Sequence, residues 1–377
     1  MTTATRTLWI GTYPHAGVPG PEGIWRVAVD AAGASFRGTE LVAPSPAPSF
    51  LALADHVLYA VGEAEEGTVG VFGTDADGAV RPLGPAVATG GSFPCHVVAT
   101  PGSVLVANYG SGSLSVVTTG EDGTFSGPVR VQPHVGSGPD PDRQEGPHAH
   151  FVATPERDRG HVLVADLGAD ALLRHDPAAP DGAAPSVAAT FPPGTGPRHV
   201  VELGDGHLVV VAELDPALFV LAPTGGGTYD VRARYDVTSA VAVDGGRSLP
   251  SHVALAGSGS RVVVAVRGAD VLAVHAVEPG PDGVPTLRHL ADTPTGGAWP
   301  RHFAVLRPGP STGPDATAPG HDLVVVANQN DVAGDLPVAD AQGPTSTLAL
   351  LRVDLETGAG ELADTVTIPA PACVVEA

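Results

Sequence analysis

The sequence of 377 residues contains no lysine, so all 19 of its permanently basic side chains are arginines. Without lysine the chain cannot supply the phosphate-binding lysine of a Walker loop or the amine of a Schiff-base enzyme. The 41 carboxylates leave a formal charge of −22, which repels the phosphate backbone and argues against a nucleic-acid partner. An anionic ligand would have to be met by a local cluster of arginines.

The chain also has few cysteines and no long apolar run. Cys95 and Cys373 lie far apart in the sequence, which is typical of two buried thiols rather than of a disulfide framework or a metal knuckle. No segment approaches the roughly 18 apolar residues of a membrane helix, and the first residues lack the apolar centre of a signal peptide. We therefore expect a cytoplasmic protein with no membrane partner.

Glycine, proline and short apolar runs are abundant. Gly (49) and Pro (38) make up nearly a quarter of the chain, yet 43% of all residues are hydrophobic, enough to bury a core. No long window shows helical periodicity free of glycine and proline. Turn residues instead bound a series of β-rich runs: Val104–Ala107, Val162–Ala165, Leu208–Ala212, Val262–Val266 and Leu323–Ala327.

A marker residue, usually histidine, follows a proline ahead of these runs. The markers are Phe50, His96, His150, His199, His252 and His302, at intervals of 46, 54, 49, 53 and 50 residues. This period matches one four-stranded antiparallel blade. In the third unit the proline is Pro147, so the histidine of that unit is displaced by one position.

The two termini supply the remaining unit. Leu8–Tyr13 resembles the second strand of a unit, and Pro369–Val374 resembles the start of a first strand. Pairing them closes a last blade and removes an open sheet edge. We predict a single all-β domain over residues 1–377, a seven-bladed β-propeller of four-stranded antiparallel blades. Irregular stretches at 307–320 and 331–345 are predicted as loops of the sixth blade.

Polar residues are predicted to gather at one mouth of the channel that the blades of a propeller surround. Each marked segment and the following run form an antiparallel hairpin, so the start of the first strand and the end of the second lie together. The strand starts carry His96, His150, Arg198, His199, His252, Arg301 and His302. The strand ends carry Asn108, Asp166, Glu213, Arg267 and Asn328.

Structural explanations compete with functional ones for these residues. A recurring histidine can bond backbone within its own hairpin, and Asn108 and Asp166 can satisfy turns. The charges that do not repeat (Arg198, Glu213, Arg267 and Arg301) point more directly to substrate chemistry. His148 and His150 have the alternate spacing of metal ligands, but no third ligand is evident nearby, so we predict neither a metal nor another cofactor.

Several segments resemble the lactonase family of seven-bladed propellers, which includes the propeller-type 6-phosphogluconolactonases and is similar to the carboxy-cis,cis-muconate cyclising enzymes. The resemblance covers the whole chain. Its most specific part is Arg143-Gln144-Glu145-Gly146-Pro147-His148-Ala149-His150. Further matches are Gly11-Thr12-Tyr13, Ala107-Asn108-Tyr109-Gly110-Ser111-Gly112, Gly196-Pro197-Arg198-His199 and Trp299-Pro300-Arg301-His302.

The resemblance implies catalytic roles for His150, Arg198, Glu213 and Arg267, with His148 as the neighbouring option for His150. Further residues at the same mouth are expected to bind substrate: His148, His199, His252, Arg301, His302 and Asn328. Gly62, Ala212 and Val266 stand where the family commonly has asparagine, which bears on the identity of the substrate.

The expected reaction is hydrolysis of a small anionic sugar lactone, with 6-phospho-D-glucono-1,5-lactone as the reference substrate and the pentose phosphate pathway as its setting. Glu213 or His150 would activate water, and Arg198 or Arg267 would hold the oxyanion. The remaining arginine, with Arg301, would hold a phosphate or carboxylate. Three alternatives stay open at this point: hydrolysis of another lactone, a cyclising or ring-opening isomerase of a carboxylated muconolactone, and a non-catalytic binding scaffold.

Overall fold

The computed structural model of the protein describes residues 5–13, 21–75, 78–243, 245–306, 320–329 and 346–377. The loops predicted at 307–320 and 331–345 lie outside these residues, apart from Gly320. In chain order the strands are β1 (Thr5–Thr12), β2 (Gly23–Asp30), β3 (Ser35–Pro44), β4 (Leu51–Ala54), β5 (Val57–Gly62), β6 (Thr68–Thr74), β7 (Val80–Pro82), β8 (Val87–Ala88), β9 (Pro94–Thr100), β10 (Ser103–Asn108), β11 (Ser113–Thr118), β12 (Arg130–Pro133), β13 (Ala149–Ala153), β14 (Val162–Asp166), β15 (Ala171–His175), β16 (Ser186–Thr190), β17 (Pro197–Glu202), β18 (Leu208–Ala212), β19 (Ala217–Gly225), β20 (Thr228–Asp236), β21 (Leu249–Ala256), β22 (Arg261–Arg267), β23 (Val271–Glu278), β24 (Thr286–Pro294), β25 (Pro300–Leu306), β26 (His321–Asn328), β27 (Thr347–Asp354), β28 (Gly360–Thr367) and β29 (Pro371–Glu376). Short 3-10 turns span Glu156–Asp158, Gly257–Gly259 and Pro281–Gly283.

The strands group into two compact units. The three-blade unit comprises Met1–Pro44 and Val237–Ala377. Its sheets have the orders β29-β1-β2-β3, β21-β22-β23-β24 and β25-β26-β27-β28. The last strand, β29, pairs antiparallel with β1. The C-terminal strand therefore completes the blade that the N-terminal strand begins, as the two sequence remnants predict.

The four-blade unit comprises Ser45–Asp236. Three of its sheets contain β9 to β12, β13 to β16 and β17 to β20 in sequential order. In the remaining sheet, β4-β5-β6, two short strands, β7 and β8, both pair with β6 at the outer position. Together the sheets of the two units are those of a seven-bladed β-propeller, which confirms the predicted fold class. The single domain expected over residues 1–377 stays a prediction.

Burial along a blade follows the position of the strand. Every side chain of β18 is buried, whereas buried or half-buried residues alternate with exposed ones in the outer strand β20. Sheets stacked face to face bury both faces of their middle strands, which explains the continuous Val and Leu runs. In one such core, Leu163 and Leu172 of one blade pack with Val210 and Phe219 of the next. Each fully buried side chain of this size stabilises the fold by about 1.5–3 kcal/mol.

A β-bulge recurs near the start of the first strands. In β13, for example, Ala149 and Phe151 pair with Asp166 and Ala165 of β14, so His150 is the extra residue between them. An extra residue kinks its strand and gives its side chain a new direction. The residues at this position are Cys95 in β9, His150 in β13, Arg198 in β17, Arg301 in β25 and Ala372 in β29.

This register corrects one sequence marker. Phe151, rather than His150, pairs as His96 and His199 do, each directly after the bulge. In the four-blade unit the marker rings of successive blades pack against each other. The centroid distances are 4.4 Å for Phe50 and His96, 4.1 Å for His96 and Phe151, and 4.5 Å for Phe151 and His199. His150 is thus an exception to the repeat, like Arg198.

Candidate active site

The segment that carries His148 and His150 is held by Asp166 at the end of β14. The Oδ1 atom of Asp166 accepts hydrogen bonds of 2.8 Å from the backbone N–H groups of His148 and Ala169. Its Oδ2 atom lies 2.5 Å from Nδ1 of the buried His134. Asp166 therefore has the structural role that its strand-end position allows, and it fixes the entry to β13.

Glu213, directly after β18, joins two arginines. Its Oε2 atom accepts a 2.8 Å hydrogen bond from Nε of Arg198, and its Oε1 atom accepts a 2.7 Å bond from Nη2 of Arg143. The carboxylate and the Arg198 side chain are almost fully buried, whereas about a third of the Arg143 side chain is exposed. Glu213 raises the pKa of Arg143, so this guanidinium stays charged.

Two series of contacts start from Glu213, one through each arginine, and both end at His150. On one side, Nη1 of Arg198 donates to Nε2 of His199 at 3.1 Å, and the His199 ring lies 5.4 Å from that of His150. On the other side, Nε of Arg143 donates to the hydroxyl of Tyr109 at 3.2 Å, and the Tyr109 ring meets His150 edge-on at 5.6 Å. We call the resulting closed set the polar ring: Tyr109, Arg143, Glu213, Arg198, His199 and His150.

His148 and Cys95 border the polar ring. His148 stacks on Tyr109 with ring centroids 4.4 Å apart, and its Nδ1 donates to the carbonyl oxygen of Tyr109 at 2.9 Å. Its Nε2 lies 3.1 Å from Oε1 of Glu145. Sγ of Cys95 lies 3.9 Å from Nδ1 of His150. Five sequence-predicted residues thus come together in the four-blade unit: His148, His150, Arg198, His199 and Glu213.

The other residues predicted to act in catalysis or substrate binding lie in the three-blade unit. Nε of Arg267 donates to the carbonyl oxygen of Leu249 at 3.1 Å, and its guanidinium lies 5.4 Å from the centre of the Trp299 ring. The guanidinium of Arg301 lies 5.0 Å from the centre of the Tyr13 ring. The remaining three are His252 and His302, whose rings stack at 3.9 Å, and Asn328, which is buried and donates to the carbonyl oxygen of Thr295.

The recurring histidines also serve the scaffold. Nδ1 of His96 accepts a hydrogen bond from the backbone N–H of Val152, and Nδ1 of His302 accepts one from Val374. Both donors belong to the first strand of the neighbouring blade. These bonds therefore join two blades, rather than the two strands of one hairpin as the sequence suggested.

Sequence reasoning missed two members of the polar ring, Tyr109 and Arg143. Both stand in the segments that carry the family resemblance, so a signal was present. The repeat indicates only where strands start and end, whereas Tyr109 follows β10 and Arg143 lies in the connection between β12 and β13. The repeat does not extend into such connections, and it cannot place their side chains in space.

Other features of the described residues bear on ligands. No three His, Cys, Asp or Glu side chains in the described ranges are grouped so as to hold a metal ion. A cavity of about 310 Å³ in the four-blade unit is lined by residues of the first strands, among them Val98, Val152 and Val200. The polar ring does not line this cavity. None of the helical segments in the described part of the chain is long and apolar enough to cross a membrane.

The fold and the polar ring define a seven-bladed propeller with a site of His, Arg, Glu and Tyr side chains. The family model described as "Lactonase, 7-bladed beta-propeller" matches residues 7–376, and the chain belongs to this family. The chain is 30% identical over 378 residues to the 6-phosphogluconolactonase of Bacillus subtilis (strain 168), with 97% of each sequence covered.

Solved structures agree with this assignment. The periplasmic gluconolactonase of Pseudomonas aeruginosa is 26% identical, with a TM-score of 0.81 and 99% of each chain covered. A protein from Bacteroides fragilis at 22% identity has a TM-score of 0.80 over 100% of this chain and 99% of its own, which shows the shared fold.

Proposed function

We propose that the chain hydrolyses a sugar lactone at the polar ring, with 6-phospho-D-glucono-1,5-lactone as its substrate. The closed set of contacts around Glu213 is the observation that carries this proposal. It combines two imidazoles, two guanidiniums, a carboxylate and a phenol, which can supply the proton transfers and the oxyanion stabilisation of water attack on an ester. The Bacillus subtilis relative named 6-phosphogluconolactonase and the Pseudomonas aeruginosa gluconolactonase support the choice of a sugar lactone.

We assign the base to His150. Imidazole is the side chain best suited to accept a proton from water near neutral pH. Glu213 was the other candidate, but each of its oxygens accepts a hydrogen bond from a different guanidinium. We therefore assign Glu213 the task of orienting Arg143 and Arg198.

The two arginines of the polar ring are given different tasks. Arg198, which is almost fully buried, would stabilise the oxyanion of the tetrahedral intermediate, since desolvated donors act most strongly on developing charge. Arg143 is partly exposed and would meet the phosphate of the incoming substrate. The substrate-binding roles of His148, His199, His252, Arg301, His302 and Asn328 stay predictions, as does the catalytic role of Arg267.

A lactone panel tests the proposed reaction. We expect the purified chain to open 6-phosphogluconolactone and plain gluconolactone faster than they hydrolyse spontaneously, with the phosphorylated lactone favoured in kcat/KM because Arg143 meets its phosphate. Proton release in a weakly buffered assay, repeated with a chelator, measures both rates. Spontaneous rates with both lactones would contradict the proposal. Turnover of a carboxylated muconolactone alone would favour the isomerase, and the absence of any turnover would favour the scaffold.

We also propose that the chain acts in the cytoplasm. The Pseudomonas aeruginosa relative is described as periplasmic, so location varies within these similar proteins. Cell fractionation followed by the lactone assay would test the location. Activity found mainly outside the cytoplasmic fraction would contradict it.

A further inference from the structure

We infer that Tyr109 is the general acid that protonates the ring oxygen of the lactone as it leaves, an inference that rests on the proposed hydrolysis. Opening a sugar lactone expels an alkoxide, which is a poor leaving group unless a proton reaches it during bond cleavage. His150, Glu213 and the two arginines have other tasks in the polar ring. Its remaining members are Tyr109 and His199, and Nε2 of His199 already accepts a hydrogen bond from Arg198.

The Tyr109 hydroxyl is arranged as a donor. Its oxygen accepts a 3.2 Å hydrogen bond from Nε of Arg143, which is its hydrogen-bond partner among the described residues. A phenol that accepts through one lone pair still carries its own hydrogen. That hydrogen is therefore available to a substrate oxygen. Burial raises the pKa of Tyr109, against the opposing effect of Arg143, so the phenol stays protonated at neutral pH.

The ring of Tyr109 is fixed on several sides. It stacks on His148 with an interplanar angle of 18°, it meets His150 edge-on at 79°, and its backbone carbonyl accepts the bond from Nδ1 of His148. A catalytic group held by packing in this way needs little rearrangement when substrate arrives. The contact with His150 also places acid beside base. Their targets, the attacking water and the leaving oxygen, are likewise bonded to one carbon in the intermediate.

The proton balance of the step is closed. Water loses a proton to His150 while its oxygen bonds to the carbonyl carbon. When the bond from that carbon to the ring oxygen breaks, its electron pair stays on the ring oxygen, which takes the proton of Tyr109. The tyrosinate left behind is stabilised by the guanidinium of Arg143. Proton transfer from the His150 imidazolium through solvent restores both groups, and lactone plus water has become the hydroxy acid.

Tyr109→Phe tests this role, because phenylalanine keeps the stacked ring and removes only the hydroxyl. The matched control is Tyr59→Phe, which removes a hydroxyl that donates to the carbonyl oxygen of Gly123 at 2.8 Å. Gluconolactone, which expels an alkoxide, is compared with dihydrocoumarin, an aromatic lactone that expels a phenolate. We expect Tyr109→Phe to lower kcat about 10²–10³-fold on gluconolactone and less than about tenfold on dihydrocoumarin, with KM little changed.

The outcomes separate this inference from the proposed function. An equal loss on both lactones, a rise in KM with kcat unchanged, or a Tyr109→Phe rate within twofold of wild type would each overturn the acid role. If wild type does not open dihydrocoumarin, the division of the gluconolactone effect between kcat and KM decides. Wild-type protein that opens no lactone would overturn the proposed hydrolysis, and the inference with it.

Discussion

The bulge position explains why the informative side chains do not repeat. Cys95, His150, Arg198 and Arg301 are extra residues in their strands, and an aromatic side chain follows each of them. The extra residue takes no regular place in the ladder, so its chemistry can change without disturbing the core. In these four strands the residue after it is histidine or phenylalanine, and its ring packs against a neighbouring blade.

Asp166, which binds the backbone of His148, also begins a buried chain of polar side chains. Asp166 contacts Nδ1 of His134, Nε2 of His134 lies 3.0 Å from Nε2 of His175, and Nδ1 of His175 lies 2.6 Å from Oε1 of Gln132. Burial, together with the nearby His134, lowers the pKa of His175 to about 3. His175 is consequently neutral in the folded protein at pH values where it is protonated in the unfolded chain.

This difference makes stability depend on pH. As pH falls below about 6.5, the unfolded chain takes up a proton at His175 that the folded chain does not, so the free energy of unfolding decreases until about pH 3. One such residue contributes about 1.4 kcal/mol per pH unit. We expect His175→Gln, which keeps a donor toward Gln132, to lose stability less steeply between pH 6 and 4.

Urea denaturation at pH 7.5, 6, 5 and 4 measures how steeply the free energy of unfolding falls with pH. His56→Gln, at an exposed site, is the control. If the free energy of unfolding of His175→Gln fell with pH as steeply as that of wild type, His175 would not be the cause of the pH dependence.

The strands were largely predictable from the sequence. Blade packing requires continuous apolar runs, and turn residues mark the ends of these runs. Each predicted run lies within a second strand, and Leu208–Ala212 matches β18 in full. The backbone conformation before the first strands was not predictable. The residues ahead of the prolines have positive φ at five places, yet only one of them is glycine: Ala47, Phe93, Gly196, Trp299 and Ala370. Tertiary contacts overrule local preference there.

The bulges and the polar ring were predictable only in part. Spacing located the ends of strands, so His150, Arg198 and Glu213 were found. A one-residue insertion such as the bulge leaves the hydrophobic pattern almost unchanged, so Phe151 and His150 could not be told apart as the repeating residue. The position of Arg143 depends on the path of a connection that no period describes.

Close approach of two connections sets the position of His148. Gly168 lies after β14, and a Cβ there would overlap the carbonyl oxygen of Gly146 and lie 2.9 Å from the backbone nitrogen of His148. We expect Gly168→Ala to displace the His148–His150 segment, to cost about 1–3 kcal/mol of stability and to lower kcat more than tenfold.

Gly204→Ala is the matched control, because nothing lies within 4 Å of its Cβ. Denaturation and the lactone assay measure the two effects. Wild-type kcat in Gly168→Ala would show that this approach does not position the site.

The two arginines of the polar ring contrast with the negative net charge of the whole chain. The chain has a net charge of −22, and arginine is its only permanently cationic side chain. It therefore has few means of binding an anion. The polar ring places two guanidiniums around one carboxylate, a local excess of positive charge. The sequence pattern predicts such a cluster from Arg198, Arg267 and Arg301. In the four-blade unit it is formed by Arg198 and Arg143.

The most direct test of the account is the kcat/KM of Glu213→Gln on the lactone that wild type opens fastest. An amide nitrogen facing a guanidinium cannot accept its hydrogen bond, so Arg143 and Arg198 would lose their common orientation. We predict a fall of about 10²–10³-fold in a protein that circular dichroism shows to be folded, and none in Glu278→Gln, which removes an exposed carboxylate paired with Arg288. A folded Glu213→Gln protein with wild-type kcat/KM would contradict the placement of the active site at the polar ring.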